Sequence, residues 1–259
     1  WDRYRVRIIQ MMTGRGCQWN RCNFCSDIIS ASGRTFRTRN VDAVLDEMRE
    51  QARRHATNNF LFLDLKLNSN PSMLRGLVEG VQRHVPGAEW IGTVHVDRRR
   101  DNGLSRAELR AAVGAGMRRV SFGLESGSQR LLNAMDKGCD VDRNEEFLRH
   151  APEVGLSNRC TMFKGFPGET AEDLELTAQF LERNCSFIDR IRYNEFSIPS
   201  GTPIEKSLRE EPTRYPNLHI VRSDHQRARV KYINTDVGRP SYRKAKARVL
   251  RAVFEINRR

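Results

Sequence analysis

No apolar run in this 259-residue chain approaches the ~20 residues of a membrane span, which argues against a membrane protein. No secretory leader is visible either, since Trp1-Asp2-Arg3-Tyr4 runs straight into a candidate strand. The chain does not open on Met, which reads as a piece of a longer polypeptide or a trimmed one. Low-complexity tracts, a second compact domain and the Gly-x4-Gly-Lys-Ser/Thr phosphate cradle are all missing. Cysteines are few: six, of which Cys139, Cys160 and Cys185 are scattered through apparent helices and strands as ordinary buried thiols. That spacing is no disulfide framework, and a chain of this size buries a core without staples. A reducing cytoplasmic compartment is therefore expected.

At 38% hydrophobic and 30% charged residues the composition is globular. The net charge of +13 is unevenly spread, because residues 205–259 carry 15 Lys+Arg against 6 Asp+Glu. Such a basic end meets nucleic acid, an acidic peptide or an acidic neighbouring domain, or is simply a solvated helical face.

Strands and helices alternate as far as Pro199. Arg5–Met12 reads as a first strand. Val41–Arg54 has helical apolar spacing at Val41, Val44, Leu45 and Met48, with Asn40 as cap. Strands are expected at Phe60–Leu63, Trp90–Val96, Arg119–Leu124, Ser157–Phe163 and Phe187–Phe196. The intervening helices are Pro71–Val85, Ser105–Val113, Ser128–Met135 with Arg143–Pro152, and Thr170–Arg183. Thr170 and Asp173 form a variant capping box. Six such repeats with short connections imply a parallel sheet with right-handed crossovers. The expected fold is α/β, a partial (β/α)6 TIM-like barrel with a basic, mostly helical C-terminal extension. Residues 205–238 look irregular, and Tyr242–Ile256 looks like a last helix. Active sites of such barrels lie at the carboxyl ends of the strands.

Cys17, Cys22 and Cys25 sit within nine residues, on a loop that follows the first strand and begins with Gly14-Arg15-Gly16. The glycines let the backbone bend closely around a cofactor. A structural zinc site needs four ligands. Three thiolates suit a [4Fe–4S] cluster with one iron left open. Zinc with a fourth ligand such as His55, or no metal at all, stand as alternatives.

The triplet resembles that of radical S-adenosylmethionine (SAM) enzymes. Cys22-Asn23-Phe24-Cys25 matches the second half of that superfamily's Cys-x3-Cys-x2-Cys pattern. The first gap is four residues instead of three, as in some branches, including those that mature ribosomally made peptides. Ser121-Phe122-Gly123-Leu124-Glu125-Ser126-Gly127-Ser128-Gln129-Arg130, Gly165-Phe166-Pro167-Gly168-Glu169-Thr170 and Phe196-Ser197-Ile198-Pro199-Ser200-Gly201-Thr202-Pro203 are similar to strand-end motifs of the branch holding cobalamin-dependent members and methylthiotransferases. The resemblance implies residues 1–203 as a radical SAM core, with residues 204–259 packing on it or contacting substrate.

The resemblance also implies the chemistry: a [4Fe–4S] cluster on Cys17, Cys22 and Cys25 cleaves SAM to a 5′-deoxyadenosyl radical that attacks substrate. Phe24 would contact adenine, and Glu125, with Ser126 beside it, the SAM ammonium or ribose. Asp64 would meet the methionine amino group, Lys164 the carboxylate, and Gly165 would pass close to the adenosine. His95 and Asp97 could share an inward face. The expected substrate is a peptide or small-molecule precursor, with methylation as one outcome. The reductant would be of flavodoxin or ferredoxin type. No Asp-x-His-x-x-Gly cobalamin signature occurs, so cobalamin would sit in a domain outside these residues. Two other readings stay open: tRNA modification, favoured by the basic end, and a metal-bearing scaffold without catalysis.

Overall fold

The computed structural model describes residues 6–27 and 36–259. Six strands form one parallel sheet in sequential order: β1 (Ile9–Met11), β2 (Asn59–Phe62), β3 (Glu89–Val94), β4 (Met117–Glu125), β5 (Ser157–Lys164) and β6 (Arg190–Glu195). Helices α1 (Val41–His55), α2 (Pro71–His84), α3 (Arg106–Gly114), α4 (Gln129–Ala134), α5 (Val141–Glu153) and α6 (Ala171–Arg183) connect them. This is the expected partial barrel. The first strand is shorter than predicted, and its predicted first residue, Arg5, lies outside the described residues.

Local chemistry fixes the helix starts. The Asn40 side chain accepts from Asp42 N and Ala43 N, and Ser105 with Glu108 closes a capping box. Thr170 and Asp173 form the predicted box at α6. The core lies between strands and helices: Phe62 meets Trp90 edge-on at 5.8 Å, and Phe122 meets Phe147 of α5 at 5.2 Å. Those outward rings define the opposite strand face as the barrel interior, because strand side chains alternate.

Beyond Pro199 the structure is more ordered than the sequence suggests. Residues 205–238 are not irregular. They hold most of α7 (Pro203–Glu210) and a hairpin that pairs with β7 (Ile198–Pro199). The hairpin strands are β8 (Leu218–Asp224) and β9 (Arg229–Asn234), joined antiparallel with a bulge after Ile220. The last helix, α8 (Pro240–Arg258), buries Tyr242, Ala245, Val249, Ala252, Val253 and Ile256 at helical spacing. It lies on α6, where Arg248 bonds Glu175 at 2.6 Å and Glu182 at 2.8 Å. Phe24, Phe163 and Tyr232 pack on a second buried cluster of Leu131, Met135, Phe166, Phe196, Ile198, Ile204, Leu208 and Val230. The hairpin, the strand ends and the cysteine loop thus share one apolar cap. Cys139 and Cys160 are buried as expected, while Cys185 is only half-buried. No helix among the described residues is long and apolar enough to cross a membrane.

Candidate functional site

The cysteine loop leaves β1 at the carboxyl edge of the sheet and is tied down at each turn. Thr13 donates from its backbone to both Asp64 oxygens, at 3.1 and 3.0 Å, and from its hydroxyl at 2.6 Å. Asp64 therefore anchors the start of the loop, a role the sequence did not suggest. Trp19 Nε1 donates to Asp136 O at 2.7 Å. The Trp19 ring packs against Gly138, where any Cβ would overlap it. Asn23 N and Nδ2 donate to Met135 O at 3.0 Å and Ala134 O at 2.6 Å.

Phe24 points into an aromatic box, with Phe163 at 5.1 Å, Phe166 at 6.3 Å and Phe196 at 6.4 Å. The three thiols lie close enough to sense one another. Burial pushes the Cys22 thiol up to about 12, Lys137 works against that, and Cys25, Cys17 and Glu125 add to it. Among the described residues no three Cys, His, Asp or Glu side chains close on a single metal ion. A structural zinc site needs four ligands, whereas three thiolates suit a cluster that spreads them over several irons. His55, the zinc alternative, sits at the last turn of α1 beside Arg7 and Thr57, at the opposite end of the sheet. The donor set thus fits an iron–sulfur cluster better than a mononuclear ion.

Glu125 ends β4 with φ +58, a strained conformation for a side-chain-bearing residue. It is buried and accepts from Lys137 Nζ at 2.9 Å. Gly123 makes room, since a Cβ there would collide with both ends of the pair. Burial works to lower the Lys137 pKa, but Glu125, Cys22 and Cys139 outweigh it and hold the ammonium charged. Its Nζ also lies 5.6 Å from the Phe24 ring centroid. Lys137 is the residue that sequence reasoning missed. Its only local signal is a lysine before the loop glycine, twelve residues after Glu125.

Other predicted residues lie elsewhere. Ser126 turns toward α6: its hydroxyl meets Thr177 Oγ1 at 3.0 Å and accepts from Ser128 N at 3.0 Å. Lys164 follows Phe163 on β5 and faces the other side of the sheet, with its ammonium 5.6 Å from the Tyr193 ring centroid. Gly165 donates its N–H to Glu169 at 2.9 Å, and its carbonyl accepts from Tyr232 at 3.1 Å. Tyr242 of α8 donates to the same Glu169 carboxylate. The predicted glycine turn is therefore clamped by both the hairpin and the last helix. Asp97 is fully buried, taken up by Lys66 and by Arg99 at 3.0 Å. His95 is buried beside Trp19, and its Nε2 has no partner. Burial, with Lys137 and Lys66 nearby, pushes its pKa well below the usual value and keeps it neutral.

The sequence profile of the Radical SAM superfamily matches residues 11–181, and the chain belongs to that superfamily. It is 27% identical over 205 residues to an uncharacterized methyltransferase of Pyrococcus horikoshii, covering 78% of this chain and 42% of the relative. It is 26% identical over 213 residues to the bacteriochlorophyllide d C-12(1)-methyltransferase of Chlorobaculum tepidum, covering 79% and 43%. The chain thus spans less than half the length of these curated relatives. Among solved structures, the radical SAM methyltransferase TsrM of Kitasatospora setae, with cobalamin and a [4Fe–4S] cluster bound, superposes with a TM-score of 0.72 at 17% identity, over 96% of this chain and 53% of that one. The cobalamin-dependent radical SAM enzyme OxsB gives 0.76 at 17% identity, over 92% and 40%. At that identity these two show the shared fold. Membership in the superfamily implies a [4Fe–4S] cluster, SAM, a reductant and a substrate.

Proposed function

We propose that this chain is the catalytic core of a cobalamin-dependent radical SAM methyltransferase acting on a peptide or other specialised-metabolite precursor. Cobalamin would be held outside these residues. Cys17, Cys22 and Cys25 hold the cluster, which when bound supplies the electron that cleaves SAM. The observation that carries this reading is convergence at the strand ends: Cys22 lies within electrostatic reach of Cys17, Cys25, Lys137 and Glu125.

Each residue then has a task. Glu125, held by Lys137, presents a fixed carboxylate to the SAM ammonium or ribose hydroxyls. Phe24 and its aromatic box keep water from the thiols and give the adenine an apolar wall. Gly165 lets the backbone turn beside the adenosine, with φ +79. Asp64 positions the cysteine loop through Thr13, and Ser126 fixes the turn after Glu125 to α6. Residues 1–203 make the core, and residues 204–259 close over it through Tyr232 and Tyr242.

The test is anaerobic reconstitution with iron and sulfide, reduction, and mass analysis of SAM products. Release of 5′-deoxyadenosine supports the reading. Zinc binding without SAM cleavage contradicts it. S-adenosylhomocysteine alongside 5′-deoxyadenosine, made by the full-length protein with cobalamin, separates methylation from other outcomes.

A further inference from the structure

The inward face of the open barrel carries an unpaired positive charge that the proposed chemistry does not use. On β4, Val120, Phe122 and Leu124 are buried toward the helices, so Arg119, Ser121 and Gly123 face inward. On β5, Phe163 meets Phe24 of the covering loop, so Arg159 and Thr161 share its inward face. On β6, Ile191 is buried and its N–H is held by Asn257 of α8 at 2.7 Å, so Arg190 and Arg192 face inward. The register brings these side chains together. Ser121 pairs with Arg159, Arg159 with Arg190, and Thr161 with Arg192.

Among the described residues none of these four arginines forms an ion pair, whereas the neighbouring Arg118 is taken by Glu89 at 2.9 Å. Arg159 Nε is buried with no hydrogen-bond partner, and so is His95 Nε2 higher on the same face. Burial lowers the Arg119 pKa, and the nearby Arg159 lowers it further. Like charges on adjacent strands cost stability unless something neutralises them. The facing strands carry less charge: β2 turns Asn59 and Leu61 inward and β3 Glu89, Ile91 and Thr93, with Glu89 held by Arg118 and Leu63 beyond them 45% exposed.

We propose that the substrate is an anion, whose carboxylate, phosphate or phosphonate is gripped by Arg119, Arg159 and Arg190 while its apolar body lies along Leu61, Leu63 and Ile91. This rests on the proposed function, for it names the substrate class of the same site. Arginine suits the task because its planar fork bonds such oxyanions in pairs. Arg159 lies four strand residues, ~13 Å, below Phe163. The substrate is therefore long enough to anchor at the arginines and present its reacting end beneath the cysteine loop.

The test is a titration of this chain with inorganic pyrophosphate at constant ionic strength, followed by heat of binding and by Tm. Saturable binding is expected, weakened at least ~10-fold in Arg159→Gln and in Arg119→Gln, in line with the loss of one charge-assisted pair. Arg110→Gln, on the exposed face of α3, should bind like the parent chain. In anion-free buffer the two barrel variants should melt at or above the parent temperature, because repulsion is relieved; arginines serving only structure would make them melt lower. Competition by succinate or methylphosphonate through the same arginines supports the proposal and names the group. Absence of saturable binding, or parent-like affinity in both barrel variants, overturns it. Anion binding needs neither cluster nor SAM, so its failure is distinct from failure of the proposed function, which is read from SAM cleavage by the reconstituted parent chain.

Discussion

Lys137 Nζ donates to Glu125 Oε1 at 2.9 Å, with both side chains about nine-tenths buried. The pair joins the end of β4 to the turn beneath the cysteine loop. Removing one member of a buried pair leaves an uncompensated charge. Lys137→Met should therefore destabilise the fold by about 3–5 kcal/mol, as measured by urea unfolding under anaerobic conditions. The double variant Lys137→Met/Glu125→Gln should recover much of that loss. It should still bind SAM more weakly than the parent, which calorimetry reads.

Gly138 sits under Trp19 with φ +67. Gly138→Ala adds a methyl where the ring lies and strains the backbone. A loss of about 1–3 kcal/mol is expected, together with lower iron content after reconstitution, because Trp19 sits on the cysteine loop. Unchanged iron content would mean that the loop does not depend on this contact.

Asp64 takes three hydrogen bonds from Thr13. Asp64→Ala leaves buried donors unsatisfied at the base of the loop. Charge-assisted bonds of this kind are worth about 1.5–3 kcal/mol each, and denaturant midpoints should fall accordingly. Thr13→Val removes only the hydroxyl and should cost less than Asp64→Ala.

Burial raises Glu169 from 4.5 to about 7, although Tyr242 and the Gly165 N–H oppose the shift. Below pH 4.5 the folded and unfolded chains both carry the proton. As pH rises from 4.5 through 7 the unfolded chain ionises first. Stability is therefore lost across that window, by about 3 kcal/mol, and then levels off. Glu169→Gln should abolish this part of the pH dependence, and Tyr242→Phe should move it to higher pH. Chemical denaturation between pH 4.5 and 8 measures both.

Much of the barrel was legible because its signals are local. Asn40, Ser105 and Thr170 each begin a helix, and buried runs such as Phe60-Leu61-Phe62 mark strands. The hairpin of β8 and β9 was not. Its strands interleave His219, Arg222, Arg229 and Lys231 with their apolar residues, and its turn lacks an Asn-Gly or Asp-Gly pair. Ala228 adopts the left-handed conformation there instead. At the site, the cysteine spacing announced itself. The partners of Glu125 and Asp64 did not, because Lys137 and Thr13 reach them only through the folded chain. Lys164 followed the same limit: strand parity, set by Phe163 against Phe24, decides which way it points.

On the proposed function, Cys17, Cys22 and Cys25 hold a [4Fe–4S] cluster with one iron open to SAM. Mössbauer spectroscopy of the anaerobically reconstituted chain, with and without SAM, tests it most directly. A four-iron signal is expected in which one iron changes its parameters when SAM is added, with loss of that signal in Cys17→Ala, Cys22→Ala and Cys25→Ala alike. A chain that assembles no four-iron cluster, or an intact cluster in any one of these variants, would contradict it.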